Sequence, residues 1–186
     1  MTKSYSISFL LGLLLFLSAS PPPLLASHHR TAQTAIAIIS PTQGNQAQGQ
    51  LVFTQMKKGV KVEGNFKGLS ANSKHGFHIH EYGDRSLANG KSAGSHYNPD
   101  NHPHGLPPSH KRHAGSFGNL VTDKNGNATF SFVDPTISIS GKNPILGRAV
   151  IIHARKDDGS QPLGNAGPRI GIGVIGIKNP KTTALQ

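Results

Sequence analysis

Histidine carries the chemistry of this sequence. Eleven are present, and most crowd between residues 75 and 113. His78 and His80 form an H-x-H pair in an extended run, where residues i and i+2 project from one face. Both imidazoles can therefore converge on one metal ion. His153, at the end of a later run, can approach from a neighbouring strand. His96, His104 and His113 are spread along a loop that can fold back to close a second site. Imidazole clusters suit copper and zinc, whereas no carboxylate-rich cage for calcium or magnesium is evident. A single H-x-H pair carries little weight, since surface and core histidines are common.

The elements that must position these side chains read as strands. Runs rich in Val, Ile, Phe and Thr recur between turn signals, and no stretch sustains a helical period. Strands are expected at 34–40, 50–55, 60–66, 75–82, 117–122, 128–133, 147–153 and 170–177. Phe77 and Ile79 should point opposite to His78 and His80. From Gly83 to Arg112 the pattern dissolves into Gly, Asn, Pro and His, a length that suggests a functional or disordered loop. A second loop holding Gly and Pro follows His153. About eight short strands with two long loops suggest an antiparallel sandwich or a Greek-key barrel.

Composition agrees with an all-β chain. The 186 residues include 22 Gly and 13 Pro, no Trp and no Cys. Without cysteine there are no disulfides, thiolate metal sites or Cys nucleophiles. Lys3, the apolar run 7–17 and the small-residue exit at Ala26-Ser27 read as a secretory signal at 1–26. A flexible leader at 27–33, a domain at 34–178 and a tail at 179–186 follow. The mature protein is expected in a periplasm or outside the cell, with no membrane association after cleavage. A formal charge of +11 attracts anions. The Lys and Arg residues are scattered, however, and no nucleic-acid partner is expected.

The strings HGFHIHEYGD (75–84), SAGSHYNPDNHPHG (92–105), RHAGSFGNL (112–120), GRAVIIHARKDD (147–158) and GNAGPRIGIGVIGI (164–177) resemble the copper/zinc superoxide dismutase family. The resemblance runs in order from about Thr34 to Ile177. It implies an eight-stranded antiparallel Greek-key barrel, an immunoglobulin-like sandwich with two long functional loops, usually paired as a homodimer. It also implies copper at His78, His80, His96 and His153, and zinc at His96, His104 and His113, with His96 bridging. Asp157 falls on a carboxylate that hydrogen-bonds a ligand of each metal, and Arg169 on the active-site arginine. The implied reaction converts superoxide to oxygen and hydrogen peroxide by alternating Cu(II) and Cu(I). His96 would carry a proton and Arg169 would guide the anion.

Two departures from that pattern stand out. Ser116 occupies the place of the family's zinc-binding aspartate, so zinc should be held more weakly unless Asp100, His102 or His110 substitutes. Gly90 and Ile172 occupy the places of the disulfide cysteines, and Ile172 should recover part of that tie by apolar packing. His75 matches no ligand and should be a structural histidine bonded to backbone, while Arg148 is read as structural. An inactive copper-storage or copper-delivery protein is the alternative function. The active-site arginine and the bridging histidine, which storage does not require, weigh against it.

Overall fold

The computed structural model describes Met1 and residues 33–182. The signal expected at 1–26 and the leader at 27–33 therefore lie almost wholly outside the described residues. Eight strands form among the described residues: β1 (Thr34–Pro41), β2 (Gln48–Gln55), β3 (Val60–Lys67), β4 (Lys74–His80), β5 (Ser116–Val121), β6 (Ala128–Asp134), β7 (Ala149–His153) and β8 (Arg169–Ile177). A single 3₁₀ turn at Lys91–Ala93 is the only helical element among the described residues.

Every pairing is antiparallel, and the ladder runs β5-β4-β7-β8-β1-β2-β3-β6. Because β3 pairs with β6 and β4 with β7, the connections cross over in the Greek-key manner. β5 and β6 are joined by a short turn yet stand at opposite ends of the ladder. The sheet thus curls into a nearly closed barrel, as the sequence led us to expect.

Alternation explains the core. In β3, Val60, Val62, Gly64 and Phe66 are buried while Lys61, Glu63 and Asn65 between them are half-buried. Phe77 meets Phe117 and Phe130 with ring centroids 5.2 Å apart, which anchors β4 to the barrel interior. β4 and β7 differ from the rest, being buried along nearly their whole length. A strand reads this way when both of its faces are covered. For β4, the core covers Phe77 and Ile79, and the long loop covers His78 and His80.

The β4 strand ends at His80, two residues earlier than expected. Glu81 and Tyr82 leave the ladder and donate their N–H groups to Ser95 and Ala93 of the loop. The loop is held in place without covalent help. Arg169 donates from Nη1 to the Gly90 carbonyl and from Nη2 to the Gly94 carbonyl, each at 2.6 Å. Beneath it, Ala93, Ala149, Ile151 and Ile172 form a small apolar cluster separate from the main core. Gly90, at φ +71°, would carry a Cβ 3.7 Å from Ile172 Cδ1, so the Ile172 side chain reaches the position opposite it.

Truncating Ile172 to a polar residue removes this packing. Ile172→Ser should cost about 2–4 kcal/mol and lower the melting temperature by several degrees. A melt unchanged from the parent would show that the apolar contact contributes nothing to holding the loop.

Candidate metal centre

Register places the histidines. In the β4–β7 ladder, His78 pairs with Ile151 and His80 with Ala149. On its other edge, a register shift between Gly76 and His78 sets His78 opposite Ser116. His80 forms an isolated bridge with His96, which pins the long loop to the end of β4. A second shift, between Ile152 and His153, sets His153 opposite Arg169 at the start of β8. The same strand ends thereby bring four imidazoles, a serine and a guanidinium to one side of the barrel wall.

Two groups result. His78, His80, His96 and His153 each present a ring nitrogen within 4.8 Å of the others, and so do His96, His104 and His113. His96 belongs to both. All six residues are buried. The structure brings together every histidine that the sequence nominated for metal. Asp100, His102 and His110 do not join the second group. Asp100 accepts from Asn143 Nδ2 at 2.9 Å, and His102 Nδ1 lies 3.3 Å from the Arg112 carbonyl. The proposed substitutes are thus absent from the cluster.

Hydrogen bonds fix the tautomers. A carbonyl or carboxylate oxygen can only accept, so the ring nitrogen facing it carries the proton. His80 Nδ1 donates to the Gly94 carbonyl at 3.0 Å, and His153 Nδ1 to the Gly167 carbonyl at 2.9 Å. His78 Nε2 donates to Asp157 Oδ2 at 2.8 Å, and His104 Nε2 to Asp157 Oδ1 at 2.9 Å. His80 Nε2, His153 Nε2 and His78 Nδ1 are left as lone pairs, buried and without a partner. Orphaned buried acceptors are costly, and three aimed into one cluster fit a metal ion. The first group fits copper by donor type and number, and the second fits zinc by donor type with three histidines.

Asp157 was expected behind the ligands, and it is fully buried there. Burial alone would raise its pKa. The hydrogen bonds from His104, His78 and the Gly159 N–H overcome that and hold the carboxyl below the usual carboxylate range. Sequence reasoning missed the residue that holds Asp157. Asn119 of β5 donates Nδ2 to the Asp157 carbonyl and accepts the Asp157 N–H at Oδ1, 2.8 Å away. Gly164 is required nearby, because a Cβ there would run into the Asp157 carboxylate. His75, fully buried, donates Nδ1 to the His153 carbonyl at 2.8 Å and is the backbone-bonded structural histidine expected. Arg148 stacks over the Tyr97 ring and caps the Glu81 carbonyl, a structural role as read.

Arg169 is half-buried, and burial lowers its pKa without discharging a guanidinium. Its charge reaches the first group: behind burial, it is the next largest influence lowering His80. Beside it a recess of about 510 Å³ is lined by Thr42, Gln43, Asn45, Asn89, Lys91 and Gly167. The second group is backed differently. Arg112 of the loop donates to the Ser116 carbonyl at 2.7 Å and pairs with buried Asp134.

Burial pushes His153 down to about 3 and His113 to about 4, from 6.5 in an unfolded chain. Both imidazoles are therefore neutral and free to ligate at neutral pH. Between those values the unfolded chain binds more protons than the folded one, so metal-free stability falls as pH drops through that window. Urea unfolding of metal-stripped protein should lose on the order of 4–5 kcal/mol between pH 7 and about pH 4.5, from two groups that each cross about two pH units at about 1.36 kcal/mol per unit. A midpoint independent of pH would contradict this.

The copper/zinc superoxide dismutase family model matches residues 47–175. A superoxide dismutase [Cu-Zn] of Paramecium bursaria Chlorella virus 1 is 43% identical over 151 residues, covering 77% of this chain and 78% of that one. The extracellular superoxide dismutase [Cu-Zn] of Drosophila melanogaster is 43% identical over 158 residues, covering 78% and 86%. Among solved structures, the clock protein EA4 is similar with a TM-score of 0.73 and 41% identity, over 80% of this chain and 96% of its own. The chain belongs to the copper/zinc superoxide dismutase family, an oxidoreductase family whose cofactors are copper and zinc.

Proposed function

We propose that the protein removes superoxide at a copper held by His78 Nδ1, His80 Nε2, His153 Nε2 and the remaining ring nitrogen of His96. The observation that carries this is the set of three partnerless ring nitrogens grouped beside a fixed guanidinium. Zinc would be held by His96, His104 and His113, with no carboxylate in the group among the described residues.

Copper supplies one-electron chemistry, taking an electron from one superoxide and giving one to a second. The chain does the rest. Arg169 spends one N–H of each Nη on loop carbonyls, and its other N–H groups are left to hold the anion. Lys91 adds a second cation at the same recess. His96 turns Nδ1 toward His113, 3.4 Å away, and its Nε2 is the atom able to carry a proton to peroxide. Desolvation strengthens each of these interactions, since the imidazoles are nearly excluded from water.

Export and pairing belong to the same reading. The N-terminal signal pattern supports export, and one relative is named an extracellular enzyme. A homodimer is supported by exposed Tyr82, Val174 and Ile177, and by Gly83 lying against the Gly147 carbonyl and Val174.

Superoxide removal per bound copper, measured with copper alone and with copper plus zinc, tests the function. Fast copper-dependent turnover is expected, and Arg169→Ala should lose about 10- to 100-fold, the worth of a charge-assisted hydrogen bond. No turnover above the copper-free control, despite bound copper, would overturn the reading and leave copper storage as the better one.

A further inference from the structure

The second histidine group poses a problem of valence. Zinc takes four ligands, and a closed structural site supplies all four from protein. His96, His104 and His113 supply three, and among the described residues no other His, Asp or Glu joins them. The nearby carboxylates are committed elsewhere: both Asp157 oxygens accept from histidine, and Asp134 is paired with Arg112 and Thr136. Asp100 is engaged by Asn143.

Ser116 stands where a fourth donor would be useful. Its Oγ lies 3.3 Å from His104 Nδ1. That is the ligand side of His104, because Nε2 is bound to Asp157. The hydroxyl is fully buried and neutral, and its reach is one bond shorter than that of an aspartate oxygen. A dication held by three histidines and no carboxylate keeps a net positive charge, even when His96 bridges the two metals as an imidazolate. Nothing negative offsets it on the Ser116 side, where Arg112 donates to the Ser116 and His113 carbonyls.

We propose that the second metal of this protein keeps an open coordination position, filled by water or a small monoanion that hydrogen-bonds Ser116 Oγ. Three protein ligands and one exchangeable ligand are the arrangement of catalytic zinc sites rather than structural ones. The ligand enters from the side of His113, which at 7% exposure is the most accessible of the three. This rests on the function proposed above, which assigns zinc to the group.

Cobalt(II) reports the position directly, because its visible bands depend on the number and type of its ligands. The protein is loaded with copper and Co(II), and the copper is reduced so that it is colourless. Azide or thiocyanate is then titrated in. The bands should shift saturably, and the shift should disappear in Ser116→Asp, whose carboxylate fills the position. Ser116→Ala should keep the shift with several-fold weaker affinity, since only the hydrogen bond is lost. Bands indifferent to either anion, or an equal response in Ser116→Asp, would overturn the open position while leaving the dismutase reading intact. Failure of the second group to take up Co(II) at all would overturn the open position together with the assignment of zinc to that group, while copper-dependent turnover would still stand.

Discussion

One carboxylate ties the site together. Asp157 accepts from His78 on one oxygen and from His104 on the other, so a single buried anion sets the tautomer of one imidazole in each histidine group. If either bond were lost, the freed ring could turn or shift its proton, and the lone pair would leave the cluster. The barrel's contribution is to hold that carboxylate still. Asn119 on β5 clamps the Asp157 backbone from both sides, and Gly164 leaves room for its oxygens. Burying an unpaired carboxylate would be expensive, whereas this one has three hydrogen bonds.

A second constraint concerns the long loop. It supplies His96, His104 and His113 but no regular structure of its own beyond a single 3₁₀ turn. In the absence of cysteine, Arg169, the His80–His96 bridge and the Ile172 cluster fasten its first half to the barrel. Arg169 thereby has two duties in the proposed function, holding the loop and facing the substrate. Its anchoring bonds fix the guanidinium before any anion arrives, which is the preorganisation that electrostatic catalysis needs.

Much of this was legible in the sequence, and the reasons are physical. Short runs of Val, Ile, Phe and Thr between turn signals exposed all eight strands to within about two residues, with period-2 alternation plain where one face is buried, as in β3. The H-x-H spacing on β4 revealed a shared face by the same period. The family resemblance then nominated every member of both histidine groups, together with Asp157, Arg169 and Ser116. What remained hidden depends on non-local pairing. The register shifts that set His78 opposite Ser116 and His153 opposite Arg169 leave no local signal. Neither does the grip of Asn119 on a residue 38 positions away. Asp100 and His102 looked able to complete the zinc group by proximity in sequence, yet the fold turns both to other partners.

In the proposed function Asp157 stands between the two metals and ligates neither. Competitive chelator titration of copper and of zinc from the Asp157→Asn variant tests that placement most directly. Both metals should bind about 10- to 100-fold more weakly than in the parent, because an amide cannot accept from His78 and His104 at once. Weakening of one metal alone, or of neither, would contradict it.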